Sequence, residues 1–175
     1  WYDETYHNSF RQEYNASVTG GTDRLSYYAG VGYLNDAGFV DNSKYERYTG
    51  RTNVEYKAKK WLTLTTNMSF AHGISESPYY TTNYGRSGNL FYVTNNIGPI
   101  YPLYVRNADG SLKVENGIQI YDSNQTNFTR PSIVGNAVRD NAYDRSRVYS
   151  DVFTGMWKAT VTPIEGLNIS AQLAA

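Results

Sequence analysis

The chain has 175 residues, 16 Lys and Arg against 16 Asp and Glu, no cysteine and a mean hydropathy of −0.59. Balanced charge leaves no basic surplus for nucleic acid, the lack of cysteine removes disulfide frameworks and thiolate metal sites, and no apolar run reaches the roughly eighteen residues of a transmembrane helix. A transmembrane β-barrel is not excluded, because only every second residue of its strands faces lipid and average hydropathy stays low. The 18 tyrosines suit strands and membrane interfaces alike.

Alternation with a period of two, the signature of strands, predicts six of them, over about 13–20, 25–34, 45–56, 61–72, 147–162 and 167–174. In the first, Tyr14, Ala16 and Val18 oppose Asn15, Ser17 and Thr19; in the second, Leu25, Tyr27, Ala29, Val31 and Tyr33 oppose Ser26, Tyr28, Gly30 and Gly32. The third sets Tyr48, Gly50, Thr52, Val54 and Tyr56 against Arg47, Thr49, Arg51, Asn53 and Glu55. The fourth sets Leu62, Leu64, Thr66, Met68 and Phe70 against Thr63, Thr65, Asn67, Ser69 and Ala71. The fifth is less regular, since Asp151 shares a face with Tyr149, Phe153 and Trp157, and the sixth returns to clean alternation through Leu167, Ile169, Ala171 and Leu173.

Links around Gly20–Asp23, Lys57–Lys60 and Pro163–Gly166 are tight, whereas residues 35–44 and 73–146 form long connections. In an up-and-down meander every second link lies at the same end, so the short ones share one end and the long ones the other. Outer-membrane barrels have this arrangement, with short periplasmic turns and long extracellular loops. The expected fold is therefore all-β, antiparallel strands forming part of a large transmembrane barrel. Tyr48, Val54, Tyr56, Leu62, Leu64, Met68 and Phe70 are expected to face lipid; Arg47, Arg51, Asn53, Glu55 and Asn67 are expected to face the lumen. Within the long loop, residues 105–114 read as a small hairpin about Asn107–Gly110.

Signs of chemistry are few. His7 and His72 have no second ligand at metal spacing and read as ordinary histidines. Asn107–Ser111 has a faint likeness to a calcium loop, but Val105 and Asn116 stand where acids are needed, so turn chemistry is the better account. The acid pairs Asp36 with Asp41 and Asp140 with Asp144 lie in polar loops, and no phosphate loop or nucleophile elbow occurs. No enzyme, metal or cofactor is implied. Tyr79, Tyr80, Tyr84, Arg86 and Tyr92 in the long loop are the candidates for contact with a substrate or partner.

The run Tyr14–Thr22 with Tyr27–Leu34 and Ala37–Phe39 resembles a barrel segment of the SusC/RagA family of TonB-dependent outer-membrane transporters. So do Arg47–Asn53 leading into Trp61–Thr63, the segment Thr162–Leu167, and Pro99–Tyr104 followed by Asp109-Gly110. The resemblance implies active import of oligosaccharides or peptides, a SusD-like surface lipoprotein partner, and contact with the TonB complex through an N-terminal region. Family members are similar in having a plug domain and 22 strands, so the chain is expected to be a piece of the early barrel without the plug. No charged and apolar leader precedes Trp1, as expected of a processed chain or an internal piece. A passive porin-type barrel and a soluble carbohydrate-binding β-domain are the alternatives.

Overall fold

In the computed structural model, residues 1–78, 89–122 and 135–175 are described. The six long strands are β1 (Arg11–Gly21), β2 (Leu25–Ala37), β3 (Lys44–Lys59), β4 (Leu62–Pro78), β7 (Arg145–Ile164) and β8 (Leu167–Ala174). They form one antiparallel sheet in the order β1-β2-β3-β4-β7-β8, so each strand pairs with the next long strand in the chain. Between β4 and β7 lie α2 (Leu90–Asn96), the two-residue strands β5 (Val114–Glu115) and β6 (Ile118–Gln119), and α3 (Ala137–Tyr143). A short helix α1 (Tyr2–Thr5) precedes β1.

The turns have local causes. Between β1 and β2, Thr22 Oγ1 accepts from the N–H groups of Arg24 and Leu25 at 3.4 and 3.2 Å, and the Thr22 N–H donates to the Leu25 carbonyl at 2.6 Å. At the β7–β8 turn Gly166 adopts φ +87°, open to glycine without steric cost. In the longer β2–β3 link Asn42 takes φ 58°, a region asparagine tolerates better than most residues.

Several strands outrun their expected limits. β1 begins at Arg11, β2 continues to Ala37, β4 runs to Pro78 and β7 begins at Arg145, so the long loop starts after residue 78 rather than 72. The cause is that backbone pairing persists where the hydrophobic alternation has ended. Arg11 sits opposite Asp36 and Gln12 opposite Asn35, and the Arg11 guanidinium lies 3.6 Å from the Asp36 carboxylate. An ion pair between Arg147 and Glu76 joins the corresponding stretches of β7 and β4.

The expected hairpin about Asn107–Gly110 forms: the Asn107 N–H donates to the Ser111 carbonyl and the Lys113 N–H to the Val105 carbonyl, each at 2.8 Å, with Arg106 bridged to Leu112. A second hairpin follows it directly, β5 paired with β6 through Asn116-Gly117. Those two residues have φ 52° and 79°, the pair of positive angles that a two-residue hairpin turn matched to strand twist requires. Asp109 closes the turn of the first hairpin: its carboxylate accepts from the Ser111 hydroxyl at 2.6 Å and the Ser111 N–H at 2.9 Å, which holds its carboxyl below the usual range.

The described chain divides into two compact units. One is the sheet, residues 10–36, 44–75 and 148–175; the other gathers 1–9, 37–43 and 76–147. The second has its own small core of Val40, Leu90, Val93 and Ala137, with Trp1, Tyr6, Phe91, Ile97 and Val138 packed on it. Its two seven-residue helices are capped alike. Asn89 accepts from the Tyr92 N–H at 2.9 Å and Asn136 from the Arg139 N–H at 3.1 Å, each satisfying an N–H that the first turn leaves open. Asn136 is fully buried and also donates to the carbonyls of Leu103 and Asp122, so one side chain ties α3 to the segment before it.

Candidate functional site

The sheet separates two chemistries. Ala16, Val31, Thr52, Met68, Phe70 and Phe153 line one shallow depression, which puts Met68 and Phe70 on the same face as the Tyr48–Tyr56 series of β3. Tyr48, Tyr56, Leu64, Met68 and Phe70 are all exposed there, and Val54 and Leu62 lie half-buried between them. By alternation along the strands Glu13, Asn15, Arg47, Thr49, Arg51, Asn53, Asn67, Ser69 and Thr154 fall on the other face, and the two further depressions they line also touch Ala16, Val31, Thr52 and Met68 of the first face. Glu55 falls on this second face by its place in β3. Gly32 belongs to the polar face for a steric reason, since a methyl there would lie 2.6 Å from both Asn15 Oδ1 and Thr49 Oγ1.

Rings cover several strand glycines. A methyl at Gly20 would meet the Tyr27 ring and one at Gly155 would collide with Trp157 on the apolar face; at Gly30 it would meet Tyr28 on the polar face. The missing side chain leaves room for the neighbouring aromatic to lie down on the sheet.

Tyrosines form a row across the apolar face. Tyr14 pairs with Tyr33, the rings of Tyr33 and Tyr48 have centroids 4.9 Å apart, and Tyr48 lies 6.3 Å from the His72 ring. Polar partners adjoin the row: the Tyr33 hydroxyl donates to Glu46 at 3.3 Å, Lys44 reaches Glu46 at 2.8 Å, and His72 Nδ1 lies 2.6 Å from Asp151 Oδ1. Asp151, the irregular residue of the fifth predicted strand, thus has a partner at the level where aromatic side chains give way to charged ones. His7, the other histidine, meets Asp41 at 3.2 Å. Among the described residues no three His, Asp or Glu side chains converge on one point.

Of the loop candidates, Tyr79, Tyr80, Tyr84 and Arg86 lie outside the described residues. Tyr92 stands exposed on α2. Nearby in the same unit the rings of Tyr2, Tyr6, Phe39 and Phe91 form a continuous cluster with neighbouring centroids 4.6 to 6.2 Å apart, and Asn95 donates to the Tyr6 hydroxyl at 3.3 Å. A second concavity lies between α1 and the segment 99–108, where Trp1, Glu4, Tyr101, Tyr104 and Arg106 were not among the sequence candidates. Two prolines within four residues, Pro99 and Pro102, flank aromatic residues there, and that pattern was the available signal.

No protein-family model matches the chain. A protein of Formosa agariphila named TonB-dependent receptor P39 is 27% identical over 116 residues, covering 62% of this chain and 11% of that protein. Two solved structures match the fold over 99% of this chain. One is of a RagAB peptide importer in a closed-closed state, with TM-score 0.65 and 23% identity; the other is of the RagAB peptide transporter, with TM-score 0.62 and 22% identity. The chain spans 18% of each of those chains. Its sheet topology and these likenesses together give the chain the fold of a stretch of outer-membrane barrel wall of the SusC/RagA type.

Proposed function

We propose that this chain forms part of the wall and an external loop of an energised outer-membrane importer for peptides or oligosaccharides. In this reading Tyr48, Val54, Tyr56, Leu62, Leu64, Met68 and Phe70 meet lipid, while Arg47, Arg51, Asn53, Glu55 and Asn67 meet the water-filled or plugged interior. The observation that carries it is the tyrosine row Tyr14–Tyr33–Tyr48 bordering an apolar band on one face, while the other carries Glu13, Asn15, Arg47, Thr49, Arg51, Asn53 and Asn67. Among these polar residues stand a few apolar or aromatic side chains, such as Val152 and Met156 of β7 and Tyr28 of β2. An aromatic girdle flanking an apolar band is what a lipid-facing barrel surface needs. A soluble carbohydrate-binding sheet would have no reason to bracket one exposed face in this way.

The likeness to TonB-dependent proteins supports coupling to the TonB complex, and the RagAB importers support a SusD-like lipoprotein seated over the loops. The role is one of transport, without bond-making chemistry. The test is uptake by cells carrying the parent protein. Dissipating the proton gradient should abolish uptake, and replacing residues 76–127 with a Gly/Ser linker should leave barrel assembly intact but reduce uptake or partner binding. Undiminished uptake after both treatments refutes the reading and favours a passive porin.

A further inference from the structure

The cleft between α1 and the segment 99–108 has a volume of about 820 Å³, inside the range of small-molecule sites. Trp1, Tyr101 and Tyr104 supply rings to its walls, and Glu4, Arg106 and Asn107 supply polar groups at its rim. The walls are fixed. The Trp1 indole N–H donates to the Tyr101 carbonyl at 2.7 Å, tying the two sides together, and the Tyr104 ring rests on Tyr121 with centroids 4.9 Å apart. Arg106 Nη1 donates to the Gly110 carbonyl at 2.8 Å, which uses one of the five guanidinium donors and aims the fork.

The backbone here is already engaged. Val105 N–H donates to Ile120, Asp122 N–H to Leu103, Lys113 N–H to Val105, and Tyr101 N–H to Gly98. An extended peptide draws much of its affinity from main-chain bonds to an open strand edge, and this strand has neighbours on both sides. Recognition must therefore run through side chains. The available set is flat aromatic rings beside a carboxylate, a guanidinium and an amide, whose planar pairs of acceptors and donors match adjacent hydroxyl groups. One acid against one base leaves the rim without the positive charge that an acidic ligand would want.

We infer that this cleft binds a neutral oligosaccharide, with the C–H face of a sugar ring against Tyr101 or Tyr104 and its hydroxyls on Glu4, Arg106 and Asn107. Electron-rich ring faces attract the weakly positive C–H edge of a pyranose. The Tyr104 phenol, pushed up to about 12 by burial and by its bond to Tyr121, stays uncharged in any physiological medium. The assignment deepens the import reading and rests on it only for how the sugar arrives.

The experiment is direct binding to the purified parent protein, by calorimetry, of cellohexaose, laminarihexaose, maltohexaose and xylohexaose, with hexaalanine as the peptide. At least one sugar should bind. Glu4→Gln and Arg106→Gln, both at exposed positions, should each weaken it by about tenfold or more, the loss expected of one charge-assisted hydrogen bond. Tyr104→Phe should bind within about threefold of the parent, whereas Tyr104→Ala, checked for an unchanged protease-resistant fold, should lose binding by about tenfold, as removal of a stacking ring implies. No binding by any sugar, sugar binding indifferent to all four substitutions, or hexaalanine binding that depends on Glu4 and Arg106 would each overturn the inference. Because calorimetry needs no energised membrane, sugar binding with gradient-independent uptake would refute active import and leave the cleft assignment standing.

Discussion

The assignment of the two sheet faces can be tested at adjacent residues. Met68 and Asn67 are neighbours in β4 and belong to opposite faces. Tyr48 and Tyr56 are eight residues apart on β3, which at ~3.3 Å per residue and ~40° tilt is roughly 20 Å along the membrane normal. Thr52 lies midway, and Met68 lines the same two depressions as Thr52, so Met68 is near mid-depth. Met68→Arg should then cost ~2–4 kcal/mol, the value for arginine at the bilayer centre of a barrel, or roughly 30- to 1,000-fold in the folding equilibrium. Leu64 lies four residues along β4 and therefore about 10 Å nearer the turn, so Leu64→Arg should cost only ~0–1 kcal/mol. Asn67→Arg places a charge near Arg51 on the polar face, a repulsion worth up to about 1 kcal/mol. The parent protein carrying each substitution would be folded into lipid vesicles across a urea series, and the folded fraction read from heat-modifiable gel migration. Losses for Asn67→Arg as large as those for Met68→Arg would refute the face assignment. Equal losses for Leu64→Arg and Met68→Arg would refute the depth.

Other expectations follow from the same geometry. Gly155→Val should destabilise the sheet by about 1–3 kcal/mol through overpacking against Trp157, and Trp157→Ala in the same chain should recover part of that loss in urea unfolding. Asn136→Ala removes a helix cap and two buried donor bonds, so local opening of α3 should become easier by roughly 2 kcal/mol, read as faster amide exchange at Val138–Asp140 with the sheet amides unchanged. Tyr104 binds its proton more tightly when folded than the ordinary phenol, so its contribution is complete below pH 10 and disappears as pH rises through about 12. The late-titrating part of the phenolate absorbance should therefore shrink in Tyr104→Phe.

The sheet was largely legible in the sequence because a period of two sustained over eight or more residues matches a strand and fits no helix. Its limits were not. At Arg11, Gln12, Asn35 and Asp36 both faces are polar, and only paired backbones reveal that the strands go on. Asp151 is out of place in the alternation because its partner, His72, is 79 residues away. The helices α2 and α3 are seven residues each, about two turns, too short for an apolar stripe to repeat. Their capping asparagines are visible but indistinguishable by type from the other loop asparagines. Asn107–Gly110 carries a turn signal that its hairpin realises, and the second hairpin at Asn116-Gly117 escapes notice because β5 and β6 are two residues each, too short for alternation to register. Pro99 and Pro102 mark one wall of the cleft, but Trp1 and Glu4 leave no local trace of it because they meet Tyr101 and Arg106 only through folding across some hundred positions.

In the proposed orientation, with the tyrosine face toward lipid, the charges beside the Tyr14–Tyr33–Tyr48 row would act as a mechanical stop. Lowering the sheet by two residues, roughly 5 Å, would drag Glu46, His72 and Asp151 toward hydrocarbon, while raising it would lift apolar side chains such as Phe70 into the headgroups. Either displacement would raise the free energy, so in this orientation the wall would sit in a well along the membrane normal. The importer proposed above would need such a well, for a pull on its contents along that same axis would otherwise move the wall and leave the contents where they were.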